Sequence, residues 1–354
     1  MTGSQTAKPR VLIVGAGLGG LTLAQCLRKQ GIPFKIFEQD TMESTPERPI
    51  IRANRPRFRN WLSTNIPIQW GKRPTKVEQI KDEIRLHFED GTTATGDILV
   101  GADGTNSFVR EYLLDVPNTK TLRTIPSCMI VGETTVTGEA FERQLSIAHS
   151  AYVAAGAALG DYFVFVGLNQ VSADGKSGRY YWFVMEKDPS IVNDNHWSKS
   201  ASQAGLYSHA VDLISTLEPR FTEIIRSTSA DETRPKPWRI HDAEIENLPV
   251  GRVTLLGDAA HPMGPFRGEG GVHALRDALN LSKAIAQIKS NDTDEIKSLL
   301  GSYQEEMLER GLQAARASRR QHTFENMKGG RIMAWGRNAM EVPDETITLE
   351  AVLP

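Results

Sequence analysis

A chain of 354 residues, 40% hydrophobic and 24% charged, holds enough apolar material for one large core or two medium ones. Its formal net charge of -2 gives no footprint for nucleic acid, and its apolar runs are too interrupted for a transmembrane helix. Two cysteines, Cys26 and Cys128, lack the spacing of a metal site or a disulfide framework; Cys26 reads as a buried filler on a helix.

The polar start, Met1 to Arg10, has no apolar core of a secretion signal, so a cytoplasmic location is expected. Val11 to Val14 is a short apolar run ending in glycines, the pattern of a buried parallel strand. A helix over Leu18 to Gln30 and a strand over Phe34 to Glu38 complete a crossover unit of about thirty residues. Thr41 to Pro49 reads as a polar linker and Arg55 to Leu62 as a helix. Strands are expected over Ile66 to Trp70, Ile84 to Phe88 and Thr93 to Leu99, then Met129 to Glu133, Tyr162 to Leu168 and Tyr180 to Met185. Helices follow over His209 to Leu217 and Phe221 to Ile225, then a buried strand over Val253 to Leu256. An apolar stripe from Leu275 to Ile288 and a last helix capped at Thr293 or Asp294 precede a tail, from Gly329, read as irregular.

Three glycine clusters carry the chemistry. Gly15-x-Gly17-x-x-Gly20 lies between a strand and a helix, the context that gives this pattern meaning. Gly15 permits the turn, Gly17 lets backbone approach a pyrophosphate, and Gly20 lets helix and strand pack closely. Glu38 ends the second strand, where an acid accepts hydrogen bonds from a ribose. Asp103-Gly104 closes another strand. Gly257-Asp258-Ala259-Ala260-His261-Pro262 follows a third, and Gly268, Gly270 and Gly271 then open a helix whose N-terminus suits negative charge on a reduced flavin. Two such anchors far apart in sequence favour FAD over a nicotinamide bound alone. His261 and His273 have no carboxylate or cysteine cluster around them in sequence, so no metal is expected and both read as residues beside the cofactor.

In this order, with Ser107 and Arg110 after Asp103, the motifs resemble the single-component FAD-dependent monooxygenases of the para-hydroxybenzoate hydroxylase type. The stretch Gly257 to Leu281 looks most like the fungal branch that decorates polyketides, terpenoids and related secondary metabolites. The resemblance runs from about Val11 to Gln321. It implies an α/β fold: a Rossmann-like FAD-binding domain (1–121 and 241–292), an inserted, mostly antiparallel β-sheet substrate domain (122–240), a long C-terminal helix (293–328) and a tail (329–354). By resemblance Glu38 binds the adenosine ribose, Arg55 reaches the flavin side, Asp103 lines the cofactor groove, and Asp258 binds the ribityl chain. Gly270, Gly271 and Val272 would lie against the ring. Tyr162 is a candidate active-site aromatic. His273 stands where many relatives have asparagine.

The implied activity is an oxidoreductase, an FAD-dependent monooxygenase that uses NADPH or NADH and O2 to hydroxylate or epoxidise a small organic substrate, with neither nucleic acid nor a membrane span involved. One departure stands out: Glu38 and Arg55 are only 17 residues apart (55 − 38), where the family has a much longer stretch that helps to cover the flavin. It motivates an alternative, a shortened flavin-fold protein with impaired or no turnover. A dehydrogenase using only the first motif leaves the Gly257-Asp258 cluster unexplained, and the flavin halogenase signature Trp-x-Trp-x-Ile-Pro is absent.

Overall fold

A computed structural model describes residues 8–41, 55–148, 150–155, 162–321 and 332–335. From the N-terminus the elements are β1 (Val11–Val14), α1 (Leu18–Lys29), β2 (Phe34–Phe37), α2 (Arg55–Leu62), β3 (Ile68–Gln69), β4 (Pro74–Ile80), β5 (Glu83–Phe88), β6 (Thr93–Gly96), β7 (Ile98–Gly101), α3 (Phe108–Leu114) and α4 (Asn118–Thr121). Next come β8 (Arg123–Thr124), β9 (Ser127–Thr137), α5 (Gly138–Ile147), β10 (Ala151–Ala155), β11 (Tyr162–Val171), β12 (Ser177–Lys187), α6 (Gln203–Leu213) and α7 (Pro219–Arg226). The last are β13 (His241–Asp242), β14 (Val253–Leu255), α8 (Gly270–Gln287), α9 (Thr293–Gln321) and β15 (Ile332–Trp335). The described residues divide into two compact units, one drawn from 1–127, 188–194 and 239–326, the other from 128–187, 195–238 and 327–354.

The first unit is built on a parallel sheet in the order β14-β7-β1-β2-β3. All four residues of β1 and all four of β7 are buried, which is why both read as continuous apolar runs rather than alternating ones. The register pairs Val14 with Phe37 on one side and Gly101 on the other, and Gly101 with Leu255. Strands that end level deliver their following turns to one edge of the sheet. The three glycine clusters therefore meet at its carboxyl edge, where open α/β sheets bind ligands.

The strand expected over Thr93 to Leu99 is two, β6 and β7. Asp97 breaks it, because its carboxylate accepts hydrogen bonds from the Arg10 backbone N–H at 2.7 Å and from the Arg10 guanidinium. β4 escaped the sequence reading because only Val77 of its seven residues is buried. Helix α9, 29 residues long, is pinned to the sheet by the Tyr303 hydroxyl, which donates to the Leu255 carbonyl at 2.9 Å.

The second unit carries a five-stranded sheet, order β15-β10-β11-β12-β9, antiparallel at every pairing from β15 to β12. Helices cover one face: Tyr152 packs edge-on against Phe221 of α7, Tyr180 against Phe141 of α5, and the Trp182 indole N–H donates to Thr228 Oγ1 at 2.8 Å. The tail read as irregular supplies the edge strand β15, paired with β10 from Ile332 to Trp335. A four-residue edge strand has too few residues to show a period. Helix α6 starts earlier than expected because Ser202 caps it, its hydroxyl accepting from the Gly205 N–H. Cys26 is half-buried rather than buried, and neither cysteine forms a disulfide.

Candidate functional site

The first turn leaves β1 at Gly15, whose φ of +104° lies in the region only glycine enters readily. A Cβ on Gly15 would overlap the Ala102 carbonyl, and one on Gly20 would overlap the Gly15 carbonyl, so both positions are fixed by packing. Gly17 differs: nothing lies within 4 Å of where its Cβ would stand. It opens α1 without a side-chain cap and with no acid in the first turn. The leading N–H groups and the dipole thus have no side-chain cap and suit an anion. Glu38 is buried at the end of β2, where its Oε2 accepts from the Ala16 N–H at 2.8 Å and its Oε1 from the Asp40 N–H at 3.2 Å. Arg59 of α2, not named from sequence, joins this corner: its Nε donates to the Ala16 carbonyl at 2.7 Å and its guanidinium lies 3.5 Å from Glu38 Oε2.

At the second turn, Asp103 accepts from the Ser107 hydroxyl at 2.5 Å and the Val109 N–H at 3.2 Å. Desolvation pushes its carboxyl above the usual range against the pull of those bonds. Each oxygen accepts one bond from its own loop. Ser107 then caps α3 through the Arg110 N–H, and the Arg110 side chain, fully buried, donates to the carbonyls of Ala259 (3.0 Å) and Asp258 (3.3 Å) and to Asn118. One guanidinium thereby ties the second turn to the third.

The third turn pivots on Gly257, φ +60°, whose N–H donates to Asp277 Oδ2 of α8 at 2.8 Å. Asp277 is fully buried; it also takes His261 Nε2 at 2.7 Å and Arg310 of α9 at 2.6 Å. Burial pushes the Asp277 carboxyl up, but hydrogen bonds and charge from His261 and the bonds from Arg310 and Gly257 outweigh it and hold it below the ordinary carboxylate value. A carboxylate only accepts, so His261 Nε2 carries a proton, and its buried Nδ1 has no hydrogen-bond partner among the described residues. Gly311 makes room for this ring, since a Cβ there would stand 2.6 Å from His261 Cδ2. Arg310 also reaches His273 Nδ1 at 2.8 Å and Glu306. Burial, with His261 and Arg310 nearby, lowers the His273 pKa, so that ring is neutral.

The Asp258 carboxylate receives no hydrogen bond from a described residue, and its Oδ1 lies 3.8 Å from where a Cβ on Gly270 would stand. It faces the uncapped start of α8, formed by Gly270, Gly271 and Val272; Val272 is 64% exposed. These are the features FAD needs at its two ends: backbone clearance at Gly17 beside a buried acid, and an unengaged carboxylate beside a bare helix N-terminus. The residues present therefore fit the cofactor.

The parallel sheet brings together Gly15, Gly17, Gly20, Glu38, Asp103, Asp258, Gly270, Gly271 and Val272. Arg55 begins α2, but its side chain lies outside the described residues. Tyr162 belongs to the second unit, where it pairs with Glu186 and its hydroxyl lies 3.2 Å from Thr216 Oγ1. With Val164 and Val166 it points to the helix-covered face, because strand side chains alternate. The opposite face carries Phe163, Phe165, Tyr181 and Phe183, with Phe165 and Phe183 stacked at 5.0 Å and 3°. No cluster of His, Cys, Asp or Glu among the described residues has metal-holding geometry, and no described helix is long and apolar enough to cross a membrane.

A family description for an FAD binding domain matches residues 63–318, and one for an NAD(P)-binding Rossmann-like domain matches 13–42. The chain is 40% identical to the FAD-dependent monooxygenase thnD of Trichoderma harzianum, over 87% of this chain and 92% of that protein. It is 30% identical to the FAD-dependent monooxygenase cctM of Talaromyces islandicus, over 87% and 91%. Its fold resembles that of Klebsiella pneumoniae HpxO, solved with FAD and uric acid, at a TM-score of 0.67 and 21% identity over 88% of this chain and 87% of that one. The thnD alignment runs over 372 positions yet uses 87% of these 354 residues, about 308, so about 64 positions (372 − 308) have no residue of this chain opposite them. A deficit of that order accords with the short interval from Glu38 to Arg55. The match over most of its length places the chain in the FAD-dependent monooxygenases, oxidoreductases that use FAD with NAD(P)H and O2.

Proposed function

We propose that FAD lies along the carboxyl edge of the first unit's parallel sheet, with its adenosine end at Gly15–Gly20 and its flavin end at Asp258 and the start of α8. The observation that carries this placement is the strand register, which gathers three glycine turns from distant parts of the chain at one edge. Glu38 accepts the ribose hydroxyls. The backbone at Gly17 and the α1 N-terminus meet the pyrophosphate. Asp258 accepts ribityl hydroxyls, and the N–H groups at Gly270, Gly271 and Val272 favour negative charge at the pyrimidine side of the ring. Asp103, held by Ser107 and Val109, lines the groove.

When bound, FAD supplies the redox chemistry, accepting a hydride from NAD(P)H and allowing one oxygen atom of O2 to pass to the substrate. The protein's own work is to bind, orient and exclude water. We further infer that the substrate is a small, planar organic compound of the secondary-metabolite kind, hydroxylated or epoxidised. What supports this is the aromatic face of β11 and β12, where Phe163 and Phe165 are half-buried. The test is an absorbance spectrum of the purified protein with FAD, then NADPH titration and mass spectrometry of candidate aromatic substrates under isotope-labelled O2. Yellow protein, substrate-stimulated NADPH oxidation and one labelled oxygen in the product are expected. A chain that does not bind FAD refutes the placement.

A further inference from the structure

We propose that Arg59 is a positioning residue for the adenosine end of FAD, locking the ribose-binding carboxylate and the glycine turn into one geometry. The inference rests on the cofactor placement above and adds a residue to it.

Three contacts form a closed corner. The Ala16 N–H donates to Glu38 Oε2 at 2.8 Å, the Ala16 carbonyl accepts from Arg59 Nε at 2.7 Å, and the Arg59 guanidinium lies 3.5 Å from the same Glu38 oxygen. The Ala16 peptide is thus held on both sides, between Gly15 and Gly17, by an acid from β2 and a base from α2. The corner is sheltered: the side chains of Arg59 and Glu38 are 13% and 10% exposed. The guanidinium also sits over the Trp70 ring, 5.3 Å from its centroid.

The chemistry follows from charge and geometry. Glu38 offers carboxylate oxygens to the ribose hydroxyls, and the adjacent guanidinium holds that carboxylate beside the glycine turn. The first turn of α1 carries no acid, so a cation arriving from another helix adds to the dipole's attraction for a diphosphate. Helix α2 starts only 17 residues after Glu38 (55 − 38), and Arg59 stands one turn into it. Loss of Arg59 leaves the Ala16 carbonyl without its charged donor and frees Glu38 to turn from the ribose.

The test uses the full-length apoprotein, its Kd for FAD read by flavin fluorescence and its affinity for ADP by competition. Arg59→Ala is expected to weaken FAD and ADP by the same factor, roughly 10- to 100-fold, as for loss of a charge-assisted bond. Arg59→Lys should fall between, because a point charge replaces a planar fork. Asp258→Ala serves as the contrast: it should weaken FAD while leaving ADP within about twofold, being at the other end of the cofactor. Circular dichroism confirms that each variant is folded; if Arg59→Ala is not, Arg59→Lys carries the comparison. ADP binding unchanged in a folded Arg59 variant overturns the proposal, as does a loss of FAD without a matching loss of ADP. Failure of the wild-type chain to bind FAD instead overturns the cofactor placement, a result visible before any variant is made.

Discussion

Replacing Asp277 by asparagine tests the idea that a buried carboxylate holds the third turn in place. Asp277 is fully buried and takes three donors: the Gly257 N–H, His261 Nε2 and Arg310. An asparagine keeps the shape but turns one acceptor into a donor, which then faces Gly257 N–H and His261 N–H. Breaking one side of a buried ion pair costs about 3–5 kcal/mol. Arg310 keeps Glu306 as a partner, so the lower end, about 3 kcal/mol, is expected at pH 7. That corresponds to a fall in Tm on the order of 6–12 °C for a unit of this size. The sign of the pH dependence is fixed. Asp277 is held below its ordinary value in the fold, so its contribution is complete above the unfolded carboxylate pKa and is lost as pH falls through the folded one. The gap between wild type and Asp277→Asn should therefore be widest near neutrality and narrow in acid. Thermal melts by circular dichroism across pH, with FAD affinity measured alongside, provide the assay. A variant within about 1 kcal/mol of wild type at pH 7, or a gap that widens on acidification, would show that the network does not stabilise this turn.

Further outcomes follow from the same geometry. Gly17→Ala should fold with a loss under about 1 kcal/mol, since its Cβ meets nothing, yet bind FAD more weakly; Gly20→Ala should lose about 3 kcal/mol in denaturation, because its Cβ strikes the Gly15 carbonyl. Tyr162→Phe should leave kcat/KM within about twofold, whereas Phe165→Ala should raise KM about tenfold; equal effects in steady-state assays would argue against the aromatic face as the substrate surface. His273, its pKa lowered by burial and by His261 and Arg310, is neutral in the fold, so stability is present above the unfolded imidazole pKa and declines as pH drops below it. His273→Asn should flatten that decline in pH-dependent melts.

The β1–α1–β2 unit was legible because each of its signals is local: an apolar run, a glycine spacing, a helix stop and an acid at the next strand's end. The span of α2 was read as it stands, Arg55 to Leu62. What escaped was set by distance or parity. Arg59 meets Glu38 from 21 residues away, and Arg310 meets Asp277 from 33 residues away on a different helix. No periodicity encodes such pairs; only the turn-by-turn packing of α2, α8 and α9 creates them. Asp103 was read as lining the cofactor groove; its bonds to Ser107 and Val109 arise from a spacing of four and six residues that no periodicity encodes. Tyr162 shows parity at work: one residue's shift along β11 exchanges the helix-covered face for the aromatic one.

The tie made by Arg110 has a consequence for how the protein is made. Its guanidinium joins carbonyls 148 and 149 residues later in the chain, and the turn it grips is held in turn by Asp277 and Arg310. A nascent chain that has released β1, α1 and β2 from the ribosome holds half a cradle and no latch. The other half, the turn at Gly257 and the start of α8, is made much later, and Arg310 later still on α9. On the cofactor placement proposed above, nascent chains halted before Gly257 should emerge colourless whatever the supply of FAD.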